Sequence, residues 1–231
     1  MHKYLKSTID YFTTGEKILW CTSVTLIAAA FLIFDRGNYL TLAASLLGVT
    51  SLIYNAKGNP FGQILMIFFS LLYGVISFQF CYYGEMITYL GMTAPMSVFA
   101  LISWLRNPYQ GDKSQVAISR VEGRAAVFML VLAGIVTLLF YFVLKAFHTA
   151  HLIPSTVSVT TSFLAVYLTY KRSAFFALAY AANDMVLIIL WILAAISDIS
   201  CLSVIMCFVM FLCNDIYTFI NWRRMYRCQQ R

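Results

Sequence analysis

Eight apolar runs, each close to the length of a membrane crossing, constrain this chain more than any other feature. A helix needs about 20 apolar residues to cross roughly 30 Å of hydrocarbon, and only helices or closed barrels satisfy every backbone N–H and C=O there. The runs fall at residues 18–34, 38–54, 60–80, 84–105, 125–147, 153–170, 174–197 and 199–222, and none alternates like a barrel strand. They predict an all-α membrane protein with eight transmembrane helices. Composition agrees: 61% of the residues are hydrophobic and 11% are charged, against about 25% charged in a soluble domain.

Basic residues set the orientation. With the N-terminus inside, the inner segments hold Lys3, Lys6, Lys17, Lys57, Arg106, Lys113, Arg120, Arg124, Lys171, Arg172, Arg223, Arg224, Arg227 and Arg231, fourteen of sixteen. Arg36 and Lys145 fall outside, beside the acidic Asp35, Glu85 and Asp198. This sorting predicts an even number of spans and both termini in the cytoplasm. It also argues against nucleic acid as a partner, because the net charge of +7 is spread over short gaps and forms no single patch. No small-residue cleavage site precedes a soluble body, so the first helix is expected to stay.

Little else points to chemistry. Cys21, Cys201, Cys207 and Cys213 lie in or beside apolar runs with no CxxC pair, and read as membrane-core side chains. His148 and His151 have HxxH spacing but no third ligand nearby, so no metal site is expected. No cofactor is implied. Without HExxH, GxSxG or Walker motifs, the chain does not read as an enzyme.

The longest polar stretch, Arg106 to Arg124, divides the chain and reads as a cytoplasmic linker, partly an interfacial helix. Tyr54-Asn-Ala-Lys57 is echoed by Leu168-Thr-Tyr-Lys-Arg172, and Ile102-Ser-Trp104 with Arg106 by Ile220-Asn-Trp222 with Arg223. Lys57 to Lys171 is 114 residues and Trp104 to Trp222 is 118, equal to within one helical turn. A repeated three-helix unit follows. The expected organisation is 1–37, an N-terminal cytoplasmic segment and an extra helix; 38–106, the first repeat; 107–152, linker and connecting helix; 153–223, the second repeat; and 224–231, a cytoplasmic tail. Parallel repeats of this kind are a transporter architecture.

Charge inside a bilayer is expensive, and Asp184 and Asp215 lie well inside the seventh and eighth runs, each after an asparagine, Asn183 and Asn214. They can form a polar midplane site, or bond to neighbouring helices and lock the bundle. Trp191 and Trp222 each follow an acid by seven residues, on the same helical face, although Trp222 and Trp104 read as interface anchors. Asn214, Tyr217 and Asn221 make one polar stripe, and Tyr89, Thr93 and Ser97 another. Hydroxyls between Ser155 and Ser162 can line a path or bond to their own helix. Gly74, Gly84, Gly91 and Pro95 serve either helix motion or close packing.

These features resemble the PnuC family of bacterial vitamin and nucleoside transporters, through AKGNPFGQ (56–63), FSLLYGVISFQFCYYGEMI (69–87), ISWLRN (102–107), NDMVLIILW (183–191) and FLCNDIYTFINWRR (211–224). The resemblance implies a SWEET-like 3+1+3 core with one extra N-terminal helix, in the bacterial inner membrane. It implies a homotrimer and facilitated diffusion of nicotinamide riboside, with trapping by a cytoplasmic kinase. Carried over by position, Gln79, Asn183 and Asn214 fall where the family places polar groups around its substrate. The riboside carriers usually hold a WxxW pair that becomes Phe176 and Ala179 here, and a glutamine that becomes Tyr89. Relatives lacking the tryptophans are linked to thiamine, riboflavin or deoxynucleosides. The expected substrate-binding set is therefore Gln79, Tyr89, Phe176, Asn183, Asp184, Trp191, Asn214, Asp215 and Tyr217, around a nucleoside-like small molecule. A scaffold or sensor without transport is the competing reading.

Overall fold

Thr13 and Glu16 cap the first helix reciprocally: the Glu16 N–H donates to Thr13 Oγ1 at 3.3 Å, and the Thr13 N–H to Glu16 Oε2 at 2.7 Å. From this start the chain builds eight long helices among the described residues of a computed structural model, which are 11–149 and 151–230. They are α1 (Thr14–Phe34), α2 (Tyr39–Ala56), α3 (Phe61–Gln79), α4 (Tyr83–Arg106), α5 (Gly123–Ala146), α6 (Leu152–Tyr170), α7 (Phe175–Ala195) and α8 (Leu202–Gln229). Each is long and apolar enough to cross a membrane, and each lies within a few residues of its expected span, apart from α8.

Helix α8 continues seven residues past Trp222, through the stretch expected as a tail. No glycine or proline interrupts Arg223 to Gln229, so nothing stops it. The linker differs too. In place of an interfacial helix it forms an antiparallel hairpin, β1 (Pro108–Tyr109) with β2 (Asp112–Val116). Pro108 stops α4, and Gln110 and Gly111 turn the chain at φ values of 50° and 83°. Within α4, residues Thr88–Thr93 make a π turn. Pro95 has no N–H to offer the carbonyl of Gly91 four residues back, which loosens the ladder at that point.

Packing follows two matching patterns. Helix α3 packs on α2 and α4, and α7 packs on α6 and α8; across the middle α2 meets α8, and α4 meets α6. Helix α1 lies on α2 and α8, whereas α5 lies on α6 and buries only Ala133 and Leu144. Gly74 and Gly84 serve close packing: an added Cβ would come within 2.5 Å of Leu90 at the first and 3.1 Å of Leu144 at the second.

The seam between the two sets repeats the same bonds. Trp104 Nε1–H donates to the Thr169 carbonyl at 3.0 Å, and Trp222 Nε1–H to the Asn55 carbonyl at 2.8 Å. Beside them, Ser103 Oγ–H donates to the Tyr170 carbonyl and Asn221 Nδ2–H to the Ala56 carbonyl. Each donor pair sits on a third helix, Ser103 and Trp104 in the last turn of α4 and Asn221 and Trp222 two turns before the end of α8, and each acceptor pair at the end of a first. Both first helices then turn through a left-handed residue, Gly58 (φ 68°) and Arg172 (φ 58°). The linker ties the two turns together, Val116 N–H donating to the Gly58 carbonyl and Ser119 N–H to the Arg172 carbonyl, both at 3.0 Å. The tryptophans expected as lipid-interface anchors are thus fully buried, with ring centroids 5.4 Å apart.

Candidate functional site

Three layers of side chains run through the middle of the bundle. At the level of the seam, Phe176 packs against Trp222 (4.7 Å between ring centroids) and Trp104 (6.4 Å). Eight residues further along α7, about 12 Å at 1.5 Å per residue, Asp184 faces Asp215 of α8 within hydrogen-bonding reach. Tyr180 lies beside both acids. Beyond them is an aromatic box: Tyr73 and Tyr89 meet edge to face at 4.5 Å, and Trp191 Nε1–H donates to Tyr73 Oη at 2.6 Å. The indole also meets the rings of Phe80 and Tyr82 at 5.1 and 5.4 Å.

Glu85, two residues into α4, is fully buried and adjoins the box through Tyr73 and Tyr89. Neither of its oxygens accepts a hydrogen bond in standard geometry, although the Ser158 hydroxyl is in its neighbourhood. That hydroxyl has a choice. Ser158, Thr161 and Ser162 all donate to Asn183 Oδ1, at 3.1, 2.8 and 3.0 Å. An amide oxygen has two lone pairs, so one donor of the three is available elsewhere.

The site is thus rich in acceptors and poor in donors. Glu85 Oε1 and Oε2, Asp184 Oδ2, Asp215 Oδ1 and Asn214 Oδ1 are all buried without a donor among the described residues. Burying such groups unpaired costs several kcal/mol each, and like charges side by side add to it. The arrangement suits a ligand that brings positive charge and hydrogen-bond donors between aromatic faces.

Of the expected residues, the structure brings Tyr89, Asp184, Trp191 and Asp215 together, with Asn183 behind them on the α6 hydroxyls. Asn214 adjoins them but turns its Nδ2 to Ser23 Oγ of α1 at 3.0 Å and to the Met210 carbonyl. The others lie elsewhere. Gln79 is exposed at the last residue of α3, because six residues from Tyr73 place it about 240° around the helix. Tyr217 points away from the acids and donates to Glu16 Oε1 at 2.9 Å. Phe176 belongs to the seam layer. Sequence reasoning missed Tyr73 and Glu85, placing the latter at the outer end of the fourth span. A signal existed in Gly84-Glu85, a small residue beside an acid, immediately after the Cys81–Tyr82 break.

Among the groups outside the spans, Tyr82, Asp35 and Arg172 feel their burial. Burial, helped by Cys201 and Glu85, pushes the Tyr82 phenol up to about 12 while it donates to the Leu190 carbonyl at 2.9 Å. Burial raises the Asp35 carboxyl, and it lowers the hold of Arg172 on its proton.

Comparison with known proteins gives a consistent picture. Residues 38–224 match the family described as nicotinamide mononucleotide transporter. The chain is 23% identical over 218 residues to the nicotinamide riboside transporter PnuC of Neisseria mucosa, covering 92% of this chain and 82% of that one. Its fold is similar to a crystal structure of the vitamin B3 transporter PnuC, with a TM-score of 0.82, 20% identity and 94% of each chain covered.

Proposed function

The chain belongs to the nicotinamide mononucleotide transporter family, and from that premise we propose that this membrane transporter carries a nucleoside-like vitamin precursor with a cationic ring, by facilitated diffusion. The observation that carries the substrate class is the group of donor-less carboxyl oxygens on Glu85, Asp184 and Asp215 around the Tyr73–Tyr89–Trp191 box. A positive ring stacks on aromatic faces and offsets buried carboxylates. Sugar hydroxyls supply the missing donors. Nicotinamide riboside, with its pyridinium, meets both needs, and thiamine, with its thiazolium, is the close rival; a neutral deoxynucleoside brings hydroxyl donors but no charge to offset the acids. The stacking surface lost with the WxxW pair is available from Tyr73, Tyr89 and Trp191.

Transport in this reading is a rocking of α2–α4 against α6–α8 about the acid layer, the seam parting on one face. The matching tryptophan bonds support two equivalent units. The basic face, with the linker and both chain ends, is cytoplasmic by the positive-inside rule. A cytoplasmic kinase then retains the substrate by phosphorylation, and the working form is a homotrimer. Uptake of labelled nicotinamide riboside, thiamine and thymidine by cells expressing the chain tests the proposal. Saturable uptake of a cationic compound, lost in Asp184→Asn, is expected; uptake of thymidine alone overturns the charge argument.

A further inference from the structure

On the basic face, away from the acids and the aromatic box, the loop following β2 arches over a cavity of about 570 Å³ lined by Arg120, Arg223 and Arg227. A second cavity of about 480 Å³ shares Ser119, Arg120 and Val121 with it and adds Lys171 and Arg172. Five basic residues thus line these two neighbouring cavities. Glu122, at the rim of the second cavity, is the acid that faces them. Among the described residues the ion pair is Lys57 with Glu16, so none of the five cations has a carboxylate partner within 4 Å.

Much of the remaining lining of the first cavity is apolar and comes from the spans. Ala126 and Met129 come from the first turns of α5, Leu168 from the end of α6, and Phe175 from the start of α7. The Arg223 guanidinium lies 5.8 Å from the Phe175 and Phe219 ring centroids, joining the charged and greasy walls. Helix α5 is the outer helix, and Val127, Phe128 and Leu130 on it are about 60% exposed, as lipid-facing residues are. The cavity therefore sits where a helix bundle meets headgroups, at the level of Trp222.

Topology alone requires basic residues on this face, but it does not require them to converge. Arg223 and Arg227 are one turn apart on α8, and Arg120 reaches the same space from a different segment. Arg172 is partly buried, with its Nε–H unpartnered. A phosphate oxygen accepts from several guanidinium donors at once, and an acyl chain covers the Met129–Phe175 wall.

We infer that this cavity binds the phosphate of an anionic phospholipid from the surrounding leaflet, with the acyl chains lying along α5 and α7. Occupied, it joins the linker, the α6–α7 turn and the end of α8, which are three parts of the seam.

The test uses the purified full chain in nonionic detergent, titrated with short-chain phosphatidylglycerol, short-chain phosphatidylcholine or inorganic phosphate, reading the melting temperature. Phosphatidylglycerol is expected to give a saturable rise of several degrees, at concentrations at least tenfold below those needed with phosphatidylcholine. Arg223→Gln/Arg227→Gln is expected to lose that rise while melting at the wild-type temperature without lipid. Should the double variant fail to fold, Arg120→Gln on the linker is expected to weaken the response at least threefold. Equal responses to the two lipids, a response to inorganic phosphate as large as to phosphatidylglycerol, or unchanged responses in the variants would each overturn the inference.

Discussion

Replacing Trp222 or Trp104 by phenylalanine isolates what the seam bonds do. Trp222→Phe keeps a ring beside Phe176 but leaves the Asn55 carbonyl without its 2.8 Å donor. Trp104→Phe does the same to the Thr169 carbonyl. Each carbonyl keeps a second donor, the Gly58 N–H and the Arg172 N–H, both at 2.9 Å, so the loss is that of one hydrogen bond, about 0.5–1.5 kcal/mol. In the rocking mechanism that cost falls on the form with the seam closed and not on the form in which it has parted. Each 1.4 kcal/mol then raises the open population about tenfold. Ala177 is fully buried in the same cluster as Trp104, Phe176 and Trp222, so a cysteine placed there reports opening. With the six native cysteines changed to serine, the labelling rate of Ala177→Cys by a water-soluble maleimide should rise about two- to tenfold in either tryptophan variant. The rings are 5.4 Å apart, so the double variant should depart from the product of the singles. A lowered melting temperature with an unchanged labelling rate would refute the reasoning, because the bonds would then hold the bundle equally in every state.

Three further outcomes follow from the site. Asp215→Asn should lower affinity for a cationic substrate at least tenfold while leaving that for a neutral nucleoside unchanged, as competition for labelled substrate would show. Tyr73→Phe strands the Trp191 indole N–H at a cost of about 1–3 kcal/mol, and Trp191→Phe in the same chain should recover part of it; additive losses in a thermal-melt cycle would mean that the 2.6 Å bond is not coupled. Tyr82, held near 12 against an ordinary value of 10, keeps its proton in the folded chain where the unfolded chain releases it. Its contribution is complete below pH 10 and lost as pH rises toward 12, so Tyr82→Phe should flatten the fall in melting temperature over that interval.

Much of the fold was legible because the bilayer imposes a single length and a single hydrogen-bonding rule on every span. Helix ends were less so. Nothing in hydropathy marks the stop of α8, and the linker hairpin depends on backbone angles at Gln110 and Gly111. The acids Asp184 and Asp215 stood out because charge is rare mid-span. Glu85 did not, because an acid at the outer end of a span reads as facing the outer surface until the turn at Cys81 is known to aim it inward. Gln79 shows the opposite limit: position in a motif does not preserve helical phase.

The pairing of α1 with α8 also constrains how the chain is made. Ser23 meets Asn214 across 191 residues of sequence, which a ribosome elongating at about 5–20 residues per second takes roughly 10–40 s to supply. During that delay α1 resides in the membrane without its final partner. Each of its waiting polar groups has a local substitute: Ser23 Oγ–H bonds to the Leu19 carbonyl one turn back at 2.8 Å, and Glu16 holds the Thr13 N–H within the first turn of α1. Helix α1 can thus remain inserted until α8 arrives to close the bundle.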